Sequence, residues 1–271
     1  MARAISQIRE RLIELFGARA YTRLASRGFK EYMLRRDFDL GSGLLEESLR
    51  LLSRAIDPPR GVRDRFFVLD ASERSVEVPF VRQRLHSLSI PSTILEFGPG
   101  VSDLAYELAR AGHFVTTVDL RRYPYSHTNL HSITIDFLES PIEPQSFDCA
   151  YAISAIEHVG LQRYGSALPR AGDLGNGDIR VVDRIYNILK PGGRFVLTVP
   201  FGVKSTAGSQ RVYDRVALAE LLRAFARTES LYYRKDGPCL WVPADPESLE
   251  RVGSITAGVT PGVALLNCLR A

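Results

Sequence analysis

Residues 3–16 place Ile5, Ile8, Leu12, Leu15 and Phe16 at helical spacing, with Arg and Glu between them. Residues 18–36 and 43–56 read as two more helices, separated by Gly41-Ser42-Gly43 and closed by Asp57-Pro58-Pro59. A further helix-like pattern covers 73–88, and Pro91 ends it. From residue 93 the period shortens. Compact apolar runs predict strands over 93–97, 114–119, 132–136, 147–153, 194–200, 229–234 and 262–270. Helical patterns over 102–111, 173–189 and 213–227 lie between them. Such alternation predicts a doubly wound, mostly parallel α/β sheet of seven strands with helices on both faces. The shift of period divides the chain into a helical N-terminal cap over 1–65 and an α/β domain over 66–271.

Charge separates these two parts. Residues 1–65 hold 14 Lys+Arg against 9 Asp+Glu, a net of +5, and the remainder holds 21 against 22. A basic helical segment suits nucleic acid, anionic lipid or a phosphorylated substrate, and it equally suits a solvated helix face docked by its apolar side. Gating a pocket, forming a homodimer and lying on a membrane surface all remain open to it.

No apolar run reaches the roughly 18 to 20 residues of a membrane-spanning helix. Arg3, Arg9, Glu10, Arg11 and Glu14 interrupt any secretory core at the N-terminus, and the two acids oppose a mitochondrial presequence. Cys149, Cys239 and Cys268 are far apart and lack metal-ligand spacing, so a reducing cytoplasm is the expected home and no metal site is expected.

Candidate chemistry begins at Ile94-Leu95-Glu96-Phe97-Gly98-Pro99-Gly100, a strand that runs into a glycine turn and then a helix. Glycines there allow a sharp bend and close backbone approach to a ligand, although a purely structural turn has the same look. Asp119 ends the next strand about 20 residues on, where an acid accepts hydrogen bonds from ribose hydroxyls. Nicotinamide chemistry shares that acid but uses G-x-G-x-x-G. Here the position three beyond Gly100 is Asp103, whose charge would oppose a pyrophosphate.

These segments resemble the class I S-adenosylmethionine-dependent methyltransferases over about residues 75–271, a Rossmann-like family. Glu96-Phe97-Gly98-Pro99-Gly100 resembles their first motif, Asp119 their ribose-binding acid, and Asp136-Phe137 their adenine-contacting pair. Phe147 through His158 resembles their fourth motif, and Leu189-Lys190-Pro191-Gly192-Gly193 the turn before their fifth strand. The resemblance implies S-adenosyl-L-methionine as cofactor, held by Glu96, Gly98, Gly100, Asp119, Leu120, Asp136, Phe137 and Ser154. It also implies a small-molecule acceptor. A further likeness, through His158, Gly160 and the Gly-x-x-Arg-Tyr-Gly stretch, is to poorly characterised methyltransferases associated with glycan assembly, which points to a sugar.

A hydroxyl acceptor needs a base, and His158, just past the fourth strand, is the candidate; the alternative is a histidine bonded within its own loop. Ser154 stands where some relatives carry the first Glu of E-x-x-E-H, so Glu157-His158 lacks half of that metal-ligand set. Arg163 and Tyr164 in the following Gly-rich stretch are candidate acceptor contacts, as are Lys204, Arg211 and Tyr213 after the fifth strand. An RNA methyltransferase and a non-catalytic S-adenosylmethionine-binding regulator are the competing readings. The first lacks an N-P-P-Y-type pocket and any RNA-binding module.

Overall fold

The computed structural model describes residues 72–100, 102–161, 175–207, 210–236, 240–251 and 262–271. Nearly all of them belong to one compact unit, Val76–Asp236 with Trp241–Ala271. The cap expected over 1–65 lies outside the described residues, as do Arg163 and Tyr164.

Helix α1 (Arg74–His86) precedes strand β1 (Thr93–Phe97), helix α2 (Leu104–Arg110), β2 (Phe114–Asp119), β3 (Leu130–Thr134) and β4 (Phe147–Ile153). Helix α3 (Gly177–Ile188), β5 (Leu189–Pro200), the hairpin β6 (Ser205–Ala207) and β7 (Gln210–Val212), and α4 (Arg215–Leu221) follow. The described chain closes with β8 (Ala226–Asp236), β9 (Leu240–Pro243), α5 (Pro246–Leu249) and β10 (Gly262–Leu269).

One sheet has the order β3-β2-β1-β4-β5-β10-β8-β9. Strands β1 to β5 pair in parallel, and β10 is antiparallel to both β5 and β8. The central strands are covered on both faces, which is why β4 buries Cys149, Ala150, Tyr151 and Ala152 in succession instead of alternately. Burial pushes the Cys149 thiol up to about 12, so this cysteine is inert packing. Helix α3 meets the sheet through Val181, Val182, Ile185 and Ile188, whose spacing makes one apolar stripe. Each such side chain removed from water contributes about 1.5–3 kcal/mol.

The doubly wound, Rossmann-like sheet is as expected, and several elements differ in number or extent. Among the described residues it has eight strands instead of seven, because β9 extends the edge beside β8. The third strand starts and ends earlier than 132–136, since Asp136 leaves the sheet to cap a 3₁₀ turn (Phe137–Glu139) by accepting from the Leu138 N–H at 3.0 Å. The helix expected over 213–227 is only Arg215–Leu221, capped by Asp214 through the Ala217 N–H at 2.7 Å. Beyond it Ala226 and its successors pair along the whole of β10, and that tertiary pairing overrides the helical pattern. The stretch after Pro200 forms the β6–β7 hairpin.

Candidate functional site

Strand β1 lies between β2 and β4, so the chain leaves it first to one side and then to the other. That switch point opens a crevice outside the carboxyl ends of the strands, where open α/β sheets take their ligands. Three residues with left-handed backbone gather there: Gly98 (φ 65°), Gly100 (φ 57°) and Ser154 (φ 41°). The first two are conformations that glycine adopts freely. A Cβ on Gly98 would stand 2.7 Å from the Ala155 Cβ, so the glycine turn rests directly on the turn after β4.

Asp119, at the tip of β2, is oriented by that same turn. Its Oδ2 accepts from the Gly100 N–H at 3.1 Å, and its Oδ1 from the Arg121 N–H at 2.9 Å. The Arg121 guanidinium lies 3.6 Å from Asp119 Oδ1, and its Nη2 is 3.4 Å from where a Gly100 Cβ would be. The exposed Leu120 side chain stands beside the acid. Nothing in the motif spacing singled out Arg121; its place two residues after the acid is the one signal that could have.

Glu96 is buried on β1, opposite its register partner Tyr151 on β4. Burial and the adjacent Glu96 carboxylate hold the Tyr151 phenol well above its ordinary range, so it stays protonated. Ser154 ends β4 with its N–H donating to the Thr198 carbonyl and to Thr198 Oγ1, both at 3.1 Å. Its hydroxyl donates to Glu77 Oε1 at 2.5 Å. Glu77, fully buried on α1, is a site residue that no spacing in the sequence revealed.

The Phe137 side chain packs inward. The side chain is 3 % exposed, edge-on to Phe97 at 5.2 Å, with the Arg184 guanidinium 5.5 Å from its centroid. The ring belongs to the core. Asp136 stays exposed, with Oδ1 engaged by the Leu138 N–H.

Beyond Ser154 a second 3₁₀ turn (Ile156–His158) carries the buried Glu157 and the partly exposed His158. His158 Nε2 lies 3.7 Å from Glu157 Oε1. Lys204 is exposed just before β6. Arg211 and Tyr213, read from the sequence as pocket lining, are instead buried. Arg211 Nη1 donates to the carbonyls of Glu157 at 3.2 Å and Val159 at 2.6 Å, and its Nε is 3.6 Å from Asp178 Oδ2. The Tyr213 hydroxyl donates to the same Asp178 oxygen at 2.8 Å. Burial, then Asp178, raises the Tyr213 phenol far above its usual range and fixes it as a donor.

The crevice therefore has acids on or beside three strand ends: Glu96 on β1, Asp119 on β2, and Glu157 past β4, with Glu77 against Ser154. A pyrophosphate would meet like charge there. A ligand with a ribose and a positively charged group meets partners for both.

The parallel order β3-β2-β1-β4-β5, continued by β10, which runs antiparallel to both of its neighbours β5 and β8, is a Rossmann-like sheet. Residues 127–238 match a family described as "Caenorhabditis protein of unknown function, DUF268". The chain is 26 % identical over 141 residues to the sterol 24-C-methyltransferase of Candida albicans, a match covering 46 % of this chain and 32 % of that protein. It thus spans about a third of the curated relative's length. A solved structure similar to it is the 1,6-didemethyltoxoflavin-N1-methyltransferase of Burkholderia thailandensis with bound S-adenosylhomocysteine, with TM-score 0.49, 17 % identity, and coverage of 83 % of this chain and 89 % of that one. Another is the N-methyltransferase NodS of Bradyrhizobium japonicum with S-adenosylhomocysteine, with TM-score 0.47, 15 % identity, and coverage of 76 % and 91 %.

Proposed function

We propose that this chain is an S-adenosylmethionine-dependent methyltransferase that methylates a hydroxyl of a small acceptor, a saccharide foremost. The observation that carries this reading is the glycine turn at the switch point, bonded through Gly100 to Asp119 and flanked by buried carboxylates. Such a crevice fits a cofactor with a ribose, a sulfonium and an ammonium, and it disfavours a dinucleotide. Asp119 would accept from the ribose hydroxyls, and Leu120 and Asp136 would meet the adenine. The backbone of Gly98 and Gly100, with Glu96 and Ser154, would hold the amino-acid end.

When bound, the cofactor supplies an already activated methyl group. What remains for the protein is alignment and proton removal. In this reading the His158 imidazole takes the proton of the acceptor hydroxyl, and Glu157 beside it stabilises the imidazolium that results. Lys204, with Arg163 and Tyr164, would position the acceptor.

A screen of hydroxylated acceptors, sugars first, with mass detection of the methylated product tests this. We expect an O-methylated product, and a kcat about 10²–10⁴-fold lower in His158→Ala with S-adenosylhomocysteine affinity unchanged. A product methylated on nitrogen or carbon would overturn the hydroxyl reading. Unaltered turnover in His158→Ala would remove the base.

A further inference from the structure

Arg211 reaches from β7 to the 3₁₀ turn and grips the chain on both sides of one residue. The two carbonyls that its Nη1 bonds, those of Glu157 and Val159, are the ones immediately before and after the His158 backbone. The guanidinium is itself aligned by Asp178 at the start of α3, 3.6 Å from Nε, and that carboxylate is fixed by the Tyr213 hydroxyl. All four side chains, Glu157, Asp178, Arg211 and Tyr213, are buried. The turn is also held from within, by the His158 N–H on the Ala155 carbonyl at 3.3 Å and the Val159 N–H on the Ile156 carbonyl at 3.1 Å. A 3₁₀ turn of three residues has poor hydrogen-bond geometry of its own, so an external clamp matters more there than in a regular helix.

We propose that Arg211 is a positioning residue for His158: by bridging the flanking carbonyls it fixes the imidazole beside Glu157 at the rim of the crevice. This rests on the reading of His158 as the group that serves the acceptor. A planar guanidinium is the side chain for this task. It spans two carbonyls and an acid with donors in fixed directions, which an ammonium does only in part. Asp178 and Tyr213 extend the clamp into α3 and the chain after β7. Three elements distant in sequence thus set the position of one side chain. That accounts for a buried basic and a buried aromatic residue beside the turn.

The test needs no acceptor. The five histidines are labelled with ¹³C and their ring signals recorded by NMR, with His158→Gln assigning the His158 signal. In Arg211→Met we expect the His158 signal to move and broaden, with a smaller displacement in Arg211→Lys. Tyr213→Phe removes only the outer hydrogen bond and is the variant that folds if Arg211→Met does not; it should displace the same signal. His86, His113, His127 and His131 should keep their positions in all three. A His158 signal unmoved in Arg211→Lys and Tyr213→Phe overturns the proposal, and so does a displacement of all five signals together, which marks general loosening. Should His158→Ala retain full turnover, the base assignment fails while the coupling of Arg211 to the imidazole is still read independently.

Discussion

The Ser154 hydroxyl donates to Glu77 Oε1 at 2.5 Å, and this bond ties α1 to the left-handed residue that ends β4. A non-glycine residue in that conformation costs about 1–2 kcal/mol, so the surrounding bonds must hold it. Ser154→Ala keeps the backbone cost and deprives a buried carboxylate of a donor, which should destabilise the protein by about 1–3 kcal/mol and weaken S-adenosylhomocysteine binding. Ser154→Gly relieves the backbone cost and should be milder in denaturation. Equal effects of the two variants would show that the left-handed backbone carries no cost, and an unchanged stability in Ser154→Ala would show that the hydroxyl contributes nothing.

Gly98 and Gly192 offer a controlled pair. Both have positive φ, 65° and 74°, but a Cβ on Gly98 meets Ala155 at 2.7 Å, whereas one on Gly192 meets nothing within 4 Å. Gly192→Ala should cost only the backbone term of about 1–2 kcal/mol and leave ligand binding intact. Gly98→Ala should cost more and should cut S-adenosylhomocysteine affinity sharply, because the two turns of the crevice must move apart. Calorimetry on both variants decides this; parallel losses would mean that the Gly98 contact has no part in binding.

Acid should weaken the fold through His113. Burial, and then His86 nearby, lower its pKa, and its Nδ1 accepts from the Ser92 N–H at 3.3 Å, which requires the unprotonated nitrogen. The unfolded chain therefore binds the proton more readily than the folded one. This stability is fully present above the unfolded value near 6.5 and is lost as pH falls through the lower folded value. Denaturation midpoints should decline between about pH 7 and pH 5, and His113→Gln should flatten that decline. An unchanged slope in the variant would assign the loss to other groups.

The strands at the centre of the sheet were legible because each is a short apolar run ended by turn residues. Thr93–Phe97, Phe114–Asp119 and Phe147–Ile153 fall where the pattern placed them. Boundaries moved where a side chain or a distant strand took over the backbone, as Asp136 does for β3 and β10 does for Ala226 onward. The switch-point residues carry local signatures, glycines after a strand and an acid at a strand tip, and could be read. Glu77 could not, since it meets Ser154 by tertiary packing alone. The partners of Arg211 and Tyr213 were hidden for the same reason. Their residue types suit a pocket wall, and only the fold shows Arg211 Nη1 on the carbonyls around His158 and the Tyr213 hydroxyl on Asp178.

The central claim is the cofactor, and isothermal calorimetry tests it most directly. S-adenosylmethionine, S-adenosylhomocysteine and NADH are titrated into the protein and into Asp119→Ala. Micromolar binding of the first two, absent for NADH and lost in the variant, is the predicted result. Preference for NADH, or binding of S-adenosylmethionine that Asp119→Ala leaves intact, would contradict the account of the crevice.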